Sequence, residues 1–283
     1  GSHEALLRGL LGNDLMEFQI ERHALNFLDC VAEFVPDAKV NVGDLTIQLQ
    51  DRLVQVASFP ISIDFDKYQS MAQRPESERT VNTLRERYAH GERQLGVSVD
   101  RVDYTKGIPE RLRALEMLWA EHPEMRERFT FIFVCTPSRS NLPAYTQLER
   151  EVGNTVQGIN ERYGTDDWTP IVLINENVDA DLLAAVYRAA DLCLVSSLQD
   201  GMNLVAKEFV AAQVDERGVL LLSRFAGAAE EIEGAVLINP FNIDGFVSAI
   251  RTALPVPSRG SNATNSQRSS SGAAVYLARV GVS

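Results

Sequence analysis

From about residue 94 onward, short apolar runs alternate with amphipathic stretches of helical length, and this pattern limits the fold more than any other feature of the chain. Apolar and polar residues do not alternate within the runs, which is typical of strands buried on both faces of a parallel sheet. The runs cover residues 95–99, 129–135, 171–174, 192–196, 219–222 and 235–238. The predicted helices cover residues 109–121, 143–162, 180–189, 203–212, 226–231 and 244–254. Alternating strands and helices predict an α/β fold, a doubly wound parallel sheet with right-handed crossovers.

The segments before and after this domain follow other patterns. Up to residue 90 we predict helices over 4–11 and 21–34, a hairpin with strands 45–50 and 53–58, and a largely helical stretch over 62–88. Residues 255–272 are rich in serine and lack aromatic residues, so they bury too little apolar surface to offset the entropy of ordering. The sequence therefore predicts three parts: a connecting segment over 4–90, the α/β domain over 91–254 and a disordered tail over 255–283.

Composition narrows the classes of partner. The 283 residues carry a formal net charge of −12, whereas binders of nucleic acid and anionic membranes need basic surfaces, so we expect neither partner. No apolar run reaches the ~18–20 residues of a membrane span, and we find no signal peptide. The odd number of cysteines, without paired spacing, favours a reducing, cytoplasmic compartment. Cys30, Cys135 and Cys193 have no Cys-x-x-Cys spacing, and we expect neither a disulfide framework nor a zinc site. The oligomeric state stays open, a homo-oligomer included.

The strongest chemical signal is the segment LQDGMNLVAKE at 198–208, which follows a predicted strand and opens a predicted helix. Gly201 permits a tight turn and a close approach of the backbone to a ligand. The free N–H groups at the helix N-terminus, with its positive dipole end, suit a diphosphate. Glu208 lies within the first two turns, where its carboxylate can accept hydrogen bonds from a ribose diol. The competing interpretation is a helix N-terminus that Asp200 or Asn203 caps, without any ligand.

Cations recur at the ends of two other predicted strands. Arg101 lies at the end of the first strand and Lys106 in the loop after it, and Arg139 follows the second strand. Ligands of open α/β sheets bind at the carboxyl ends of strands, where such cations neutralise a leaving diphosphate. The alternative is that Arg101 and Lys106 form surface salt bridges with Asp100 and Asp103, and that Arg139 is a solvated loop residue.

A metal site is weakly indicated at one point. Asp64 and Asp66 match the Asp-x-Asp pattern that holds a divalent metal in some sugar transferases, but they precede a predicted helix, where aspartate commonly caps. We favour capping and expect no metal. The sequence contains no Walker A loop, GxGxxG or GxSxG motif, which argues against the common NTPase, dinucleotide-binding and α/β-hydrolase classes.

Three segments together resemble one known family. They are VDRVDYTKGIPER at 99–111, DGMNLVAKE at 200–208 and LSRFAGAA at 222–229, with support from FPISID at 59–64, WTP at 168–170 and NP at 239–240. They resemble the trehalose-6-phosphate synthases, glycosyltransferase family 20, over about residues 4–254. The resemblance implies a GT-B architecture, whose active site lies between two Rossmann-like domains. Residues 91–254 would then be the C-terminal, nucleotide-sugar-binding domain.

The resemblance also implies an activity and a set of site residues. The family transfers glucose from UDP-glucose, or sometimes ADP- or GDP-glucose, to glucose 6-phosphate, with retention of configuration and without a metal or other cofactor. By resemblance, Arg101 and Lys106 hold the donor diphosphate, Glu208 the ribose and Arg139 the acceptor phosphate. Glucose and phosphate would be held by Asp200 and by the backbone of Gly201, Met202, Asn203, Leu204 and Val205. The protein's task is then to stabilise the departing diphosphate while the acceptor attacks from the same face.

The chain also departs from the family pattern. The family's N-terminal domain, with its glycine-rich loop and most acceptor contacts, is missing, and so is the crossing helix expected after Leu254. Glu17 and Ile20 replace the small or polar residues expected beside Phe18-Gln19. We therefore expect the donor-binding half of an active site, inactive by itself. A sister transferase with another acceptor, such as glucosylglycerol-phosphate synthase, and a non-catalytic nucleotide-sugar-binding module are the alternatives.

Overall fold

The computed structural model describes residues 1–136 and 143–254, and of the strand Arg279–Val280 it describes the backbone alone. The chain divides into two compact units, Gly1–Ser62 and Ile63–Ser283. No helix within the described residues is long and apolar enough to span a membrane. The predicted disorder of the tail concerns residues that lie, apart from that strand, outside the described part of the chain.

The first unit folds around its own apolar core. Its elements are α1 (Ser2–Leu10), β1 (Leu15–Phe18), α2 (Glu21–Phe34), β2 (Ala38–Asn41), β3 (Thr46–Leu49) and β4 (Arg52–Ser58). The strand order is β1-β4-β3-β2, with β1 parallel to β4 and the other pairs antiparallel. Leu28 and Val31 of α2 are fully buried together with Ile47 and Val54 of the β3–β4 hairpin. This hairpin was predicted; β1 and β2 were not.

The second unit alternates strands and helices as its sequence pattern predicts. Two helices, α3 (Phe65–Ala72) and α4 (Pro75–Tyr88), precede the first strand. The elements that follow are β5 (Gln94–Arg101), α5 (Ile108–Glu121), β6 (Phe129–Thr136), α6 (Pro143–Tyr163), β7 (Ile171–Ile174), α7 (Ala180–Ala189), β8 (Leu192–Val195), α8 (Leu204–Ala212), β9 (Val219–Ser223), β10 (Ile232–Glu233), β11 (Val236–Ile238), α9 (Ile243–Ala253) and β12 (Arg279–Val280). The short strands β10 and β12 pair antiparallel, apart from the main sheet.

The main sheet has six parallel strands in the order β11-β9-β8-β5-β6-β7. From β5 the chain adds β6 and β7 on one side, and it then returns to add β8, β9 and β11 on the other. The strand order therefore reverses between β5 and β8, which is the position where open α/β sheets ordinarily bind their ligands. This topology confirms the predicted doubly wound α/β fold.

Strand β6 shows why the apolar runs are not alternating. Phe131 and Phe133 pack into the main core, whereas Ile132 and Val134, which point to the opposite face, are buried as well. A strand covered on both faces needs apolar residues at every position, and the run at 129–135 supplies them.

Two details of the second unit differ from the prediction. The segment predicted as a helix over 226–231 is a single 3₁₀ turn, Gly227–Glu230. The helical stretch over 62–88 is two helices that break before Pro75, since the residue preceding a proline is driven out of helical geometry. Both of these helices belong to the second compact unit, whereas the sequence pattern had grouped them with the connecting segment.

Candidate functional site

The loops that leave β5 and β8 are bonded to each other at the point where the strand order reverses. The Leu198 N–H donates to the Thr105 carbonyl at 2.7 Å, and the Ser196 hydroxyl lies 3.1 Å from the carbonyl oxygens of Lys106 and Gly107. Gly107 has a φ of 62°, and a Cβ there would lie 2.1 Å from the Ser196 carbonyl oxygen. Only glycine therefore fits, because both the left-handed backbone and the contact exclude a side chain.

This junction brings Lys106 and Asp200 together. The Lys106 ammonium lies 2.7 Å from Asp200 Oδ2, and both side chains are more than four-fifths buried. Ser197 Oγ and Asn203 Nδ2 donate to the same oxygen at 3.2 and 3.0 Å. Oδ1 has no partner among the described residues, so one acceptor oxygen and the remaining Lys106 N–H groups are available to a ligand.

Opposing forces act on the pKa of Asp200. Burial is the largest and raises the pKa, but the hydrogen bond and positive charge of Lys106, with the bonds from Asn203 and Ser197, outweigh it and hold the pKa below its ordinary value. Asp200 is therefore a carboxylate at neutral pH, and the pair is a true ion pair.

A buried arginine supports both loops from beneath. Arg111 is fully buried, and its guanidinium donates to Asp100 Oδ2 at 2.7 Å, to Ser98 Oγ at 2.5 Å and to Ser196 Oγ at 3.0 Å. A further bond of 3.3 Å goes to the Lys106 carbonyl. One side chain thus binds the ends of β5 and β8 and the backbone of Lys106. Burial raises the pKa of Asp100, against the opposing effect of Arg111.

The loop after β9 forms the third wall. Ser223 Oγ donates to the Ser197 carbonyl at 2.6 Å, and the Asp200 N–H donates to the Phe225 carbonyl at 3.1 Å. In return, the Gly227 N–H donates to the Asp200 carbonyl at 3.1 Å. All three segments that resemble the known family therefore meet at one edge of the sheet.

The N-terminus of α8 faces this junction with a capped but accessible first turn. Asn203 is the N-cap, its Oδ1 accepts from the Ala206 N–H at 3.0 Å, and its backbone has a φ of 92°. Leu204 and Val205 begin the helix, so their N–H groups have no acceptor within it. The cap predicted as the competing interpretation is thus present at Asn203, and it leaves two N–H groups for an anion.

Glu208 projects from the second turn of α8 and is partly buried. Its Oε2 accepts from the hydroxyl of Tyr187 on α7 at 3.0 Å. Burial, and then the negative charge of Glu208, raise the pKa of Tyr187 well above its ordinary value, so the phenol keeps its proton. The hydrogen bond from Tyr187 therefore orients the Glu208 carboxylate.

The other predicted site residues occupy distinct positions. Arg101 ends β5, is exposed, and has no ion pair among the described residues. Gly201 is exposed with no positive φ, whereas Met202 is buried and accepts from the Ala228 N–H at 2.7 Å. Arg139 lies outside the described residues, so its predicted contact stays a prediction.

The Asp-x-Asp segment serves a local structural purpose. Asp64 Oδ1 accepts from the Lys67 N–H at 3.0 Å and caps α3, as we expected. Among residues 1–136 and 143–254, no cluster of three or more histidine, cysteine, aspartate or glutamate side chains is arranged to bind a metal.

Sequence reasoning missed the supporting residues of the site. Arg111 lies on the apolar face of α5 with Ile108, Leu112 and Leu115, and a charge at that spacing was a usable signal for a buried ion pair. Tyr187 gave no comparable signal, because a tyrosine on the buried face of a helix is ordinarily a core residue.

The fold and the site define a doubly wound α/β protein with a buried lysine–aspartate pair and a helix N-terminus at the switch point of its parallel sheet. A family model described as glycosyltransferase family 20 matches residues 1–271. The chain belongs to glycosyltransferase family 20.

Individual relatives agree with this family. The bifunctional trehalose-6-phosphate synthase/phosphatase of Thermoproteus tenax is 42% identical over 249 residues, which cover 88% of this chain and 33% of that protein. The UDP-forming α,α-trehalose-phosphate synthase of Burkholderia xenovorans, solved with glucose-6-phosphate, has a TM-score of 0.83 at 38% identity. A structure from E. coli with bound UDP-2-fluoro glucose has a TM-score of 0.81 at 33% identity. Each of the two structural matches covers 90% of this chain and 56% of the solved chain, so this chain spans little more than half the length of those solved chains.

Proposed function

We propose that this chain binds the nucleotide-sugar donor of a retaining glucosyltransferase that makes trehalose 6-phosphate from UDP-glucose and glucose 6-phosphate. The observation that carries the proposal is the meeting of Lys106, Asp200 and the N-terminus of α8 at the switch point between β5 and β8. A UDP-forming relative solved with glucose-6-phosphate, and another solved with UDP-2-fluoro glucose, support this choice of substrates.

The diphosphate is the part of the donor that this edge of the sheet suits best. When the glycosidic bond breaks, negative charge grows on the leaving phosphate. Lys106, with N–H groups beyond the one on Asp200, and the N–H groups of Leu204 and Val205 would stabilise that charge. Arg101 has an exposed guanidinium at the end of β5 and would add a second cation. Lys106 is held by the buried Asp200 and the N–H groups of α8 by the backbone, so these groups need little rearrangement when charge develops.

The two carboxylates would bind different parts of the donor. Asp200 Oδ1 has no partner among the described residues and would accept from a glucose hydroxyl. Glu208, in the second turn of α8, would accept from the ribose hydroxyls. By resemblance, Arg139 would contact the phosphate of the acceptor.

Binding of the donor is separable from turnover. Transfer needs donor and acceptor held in a closed cleft at near-attack distance, and proximity and orientation account for ~7–11 kcal/mol of barrier lowering. We propose that these 283 residues bind the nucleotide, and that turnover also needs the parts of the family's length that they do not span.

Calorimetric titration with UDP and UDP-glucose tests the binding roles. Glu208→Gln should weaken both ligands equally, since both contain the ribose, whereas Asp200→Asn should weaken UDP-glucose more than UDP. Glu86→Gln, an exposed change on α4, is the matched control and should alter neither. The roles would have to be exchanged if Glu208→Gln selectively lost UDP-glucose, and failure of the parent chain to bind UDP would overturn the proposal.

An assay of UDP release tests the separation of binding from turnover. The purified 283-residue chain, given UDP-glucose and glucose 6-phosphate, should release no UDP above background. Steady trehalose 6-phosphate formation by this chain alone would contradict the assignment of a donor-binding half.

A further inference from the structure

Tyrosines from two other helices lie beside the carboxylate of Glu208. Tyr187 on α7 is fully buried, packs edge-on against Phe209 at a ring distance of 6.3 Å, and donates to Glu208 Oε2 at 3.0 Å. Tyr68 on α3 is partly buried and lies close enough to the same carboxylate for Glu208 to raise the pKa of its phenol. Burial first, and Glu208 second, raise the pKa of both phenols, so both remain protonated donors.

For packing alone, a phenylalanine ring would serve as well as Tyr187, so packing does not explain the hydroxyl. A buried hydroxyl is costly unless it is hydrogen-bonded, and among the described residues Glu208 is the acceptor that satisfies it. The hydrogen bond to Glu208 is therefore what explains a hydroxyl at this buried, apolar position.

A glutamate on a helix surface rotates among many rotamers, and ordering it on binding costs affinity. The Tyr187 donor on α7, with Tyr68 of α3 beside it, restricts the orientation of the Glu208 carboxylate before a ligand arrives. A carboxylate fixed in this way can accept from two neighbouring hydroxyls at once, which is the pattern that a ribose diol offers.

We propose that Tyr187 and Tyr68 are positioning residues that hold Glu208 in the orientation that binds the two ribose hydroxyls of the donor nucleotide. The inference rests on the proposed function, because it assumes that a nucleotide binds at the switch point of the sheet. It extends that function because it assigns the preference for a ribonucleotide to Tyr68, Tyr187 and Glu208, which lie on three different helices.

The test compares UDP with 2′,3′-dideoxyuridine diphosphate, which lacks both ribose hydroxyls, by calorimetry on the full chain. The parent should prefer UDP. Tyr187→Phe removes one hydroxyl and should weaken UDP roughly three- to tenfold, as expected for one hydrogen bond, while leaving the dideoxy analogue within about twofold. Tyr163→Phe is the matched control: this ring lies beneath the Arg126 guanidinium at 5.1 Å, and its loss of a hydroxyl should change neither affinity.

The outcomes separate this inference from the proposed function. Equal loss of both ligands in Tyr187→Phe would indicate a general structural defect and overturn the inference. Tyr68→Phe, at a partly exposed position, supplies the same test if Tyr187→Phe does not fold. If the folded tyrosine variants kept the preference for UDP while Glu208→Gln lost it, the inference would be overturned and the proposed function would stand. Absence of UDP binding in the parent would overturn the proposed function and, with it, the inference.

Discussion

The junction between strands β5 and β8 has an ion pair at each end, and the two pairs differ in how fully they are satisfied. At the amino end, Arg85 lies 3.1 Å from Asp191 Oδ1 and also donates to the Ala189 carbonyl at 2.7 Å. Asp191 Oδ2 accepts from the Leu95 N–H at 2.8 Å, so both oxygens of this carboxylate are hydrogen-bonded.

At the carboxyl end, Lys106 has one acceptor, Asp200 Oδ2, among the described residues, and the exposed Arg101 has no ion pair there. The N–H groups of Leu204 and Val205 add unsatisfied donors. Among the described residues, the strand pair therefore ends in a carboxylate with both oxygens bonded on one side, and in a carboxylate with one bonded oxygen on the other. The difference supports the proposal that the carboxyl end binds an anion, whereas the amino end serves stability.

The largest expected effect is on the buried support of the carboxyl end. Arg111→Ala leaves the Asp100 carboxylate buried without its partner, and breaking such a pair typically costs about 3–5 kcal/mol. Urea unfolding should show this loss, whereas Arg113→Ala, an exposed change two residues along α5, should cost less than about 1 kcal/mol.

A double variant identifies the cause of that loss. Asp100→Asn removes the charge that Arg111→Ala strands, so the double variant should recover part of the free energy of unfolding. Equal instability in the single and double variants would show that lost packing, not an uncompensated charge, explains the defect.

Loss of the Arg85–Asp191 pair should lower stability without changing the affinity for UDP. Arg85→Ala removes charge-assisted bonds at a partly buried site and should lower the free energy of unfolding by about 1–3 kcal/mol. UDP affinity of the folded variant should match that of the parent, with the exposed Arg79→Ala on the same helix as the control. A tenfold loss of UDP affinity in Arg85→Ala would remove the proposed division between the two ends.

The smallest effect concerns acid titration of the carboxyl-end pair. Because the folded-state pKa of Asp200 is lowered, the stability that this group contributes is present above its unfolded pKa and is lost as the pH falls through the folded value. Carboxyl carbon NMR should therefore show Asp200 titrating below the ordinary aspartate range, and Lys106→Ala should move that titration upward. No movement would mean that Asn203 and Ser197, and not Lys106, hold the carboxylate.

The sequence predicted the sheet well because its strands are buried on both faces. Runs such as 171–174 and 192–196 can be identified without tertiary information, and the structure has strands at Ile171–Ile174 and Leu192–Val195. Strands β1 and β2 escaped prediction, since both are short and only half-buried, with weak patterns. The fold class can therefore be predicted from the local sequence pattern where the strands are buried on both faces.

The site was predicted only in part, for a related reason. The strand-end positions of Arg101 and Lys106 follow from local sequence. The pairing of Arg111 with Ser196 spans 85 residues, and that of Tyr187 with Glu208 spans 21 residues and two helices. Such contacts depend on strand order, which apolar periodicity does not encode.

The central claim is that the carboxyl end of the β5–β8 junction binds a diphosphate through Lys106, and titration of UDP into a matched lysine pair tests it most directly. Lys106→Ala should weaken UDP tenfold or more, because a charge-assisted hydrogen bond is worth ~1.5–3 kcal/mol. Lys39→Ala, an exposed change in β2, should leave the affinity unchanged. An unaltered UDP affinity in Lys106→Ala, with the parent binding normally, would contradict the account.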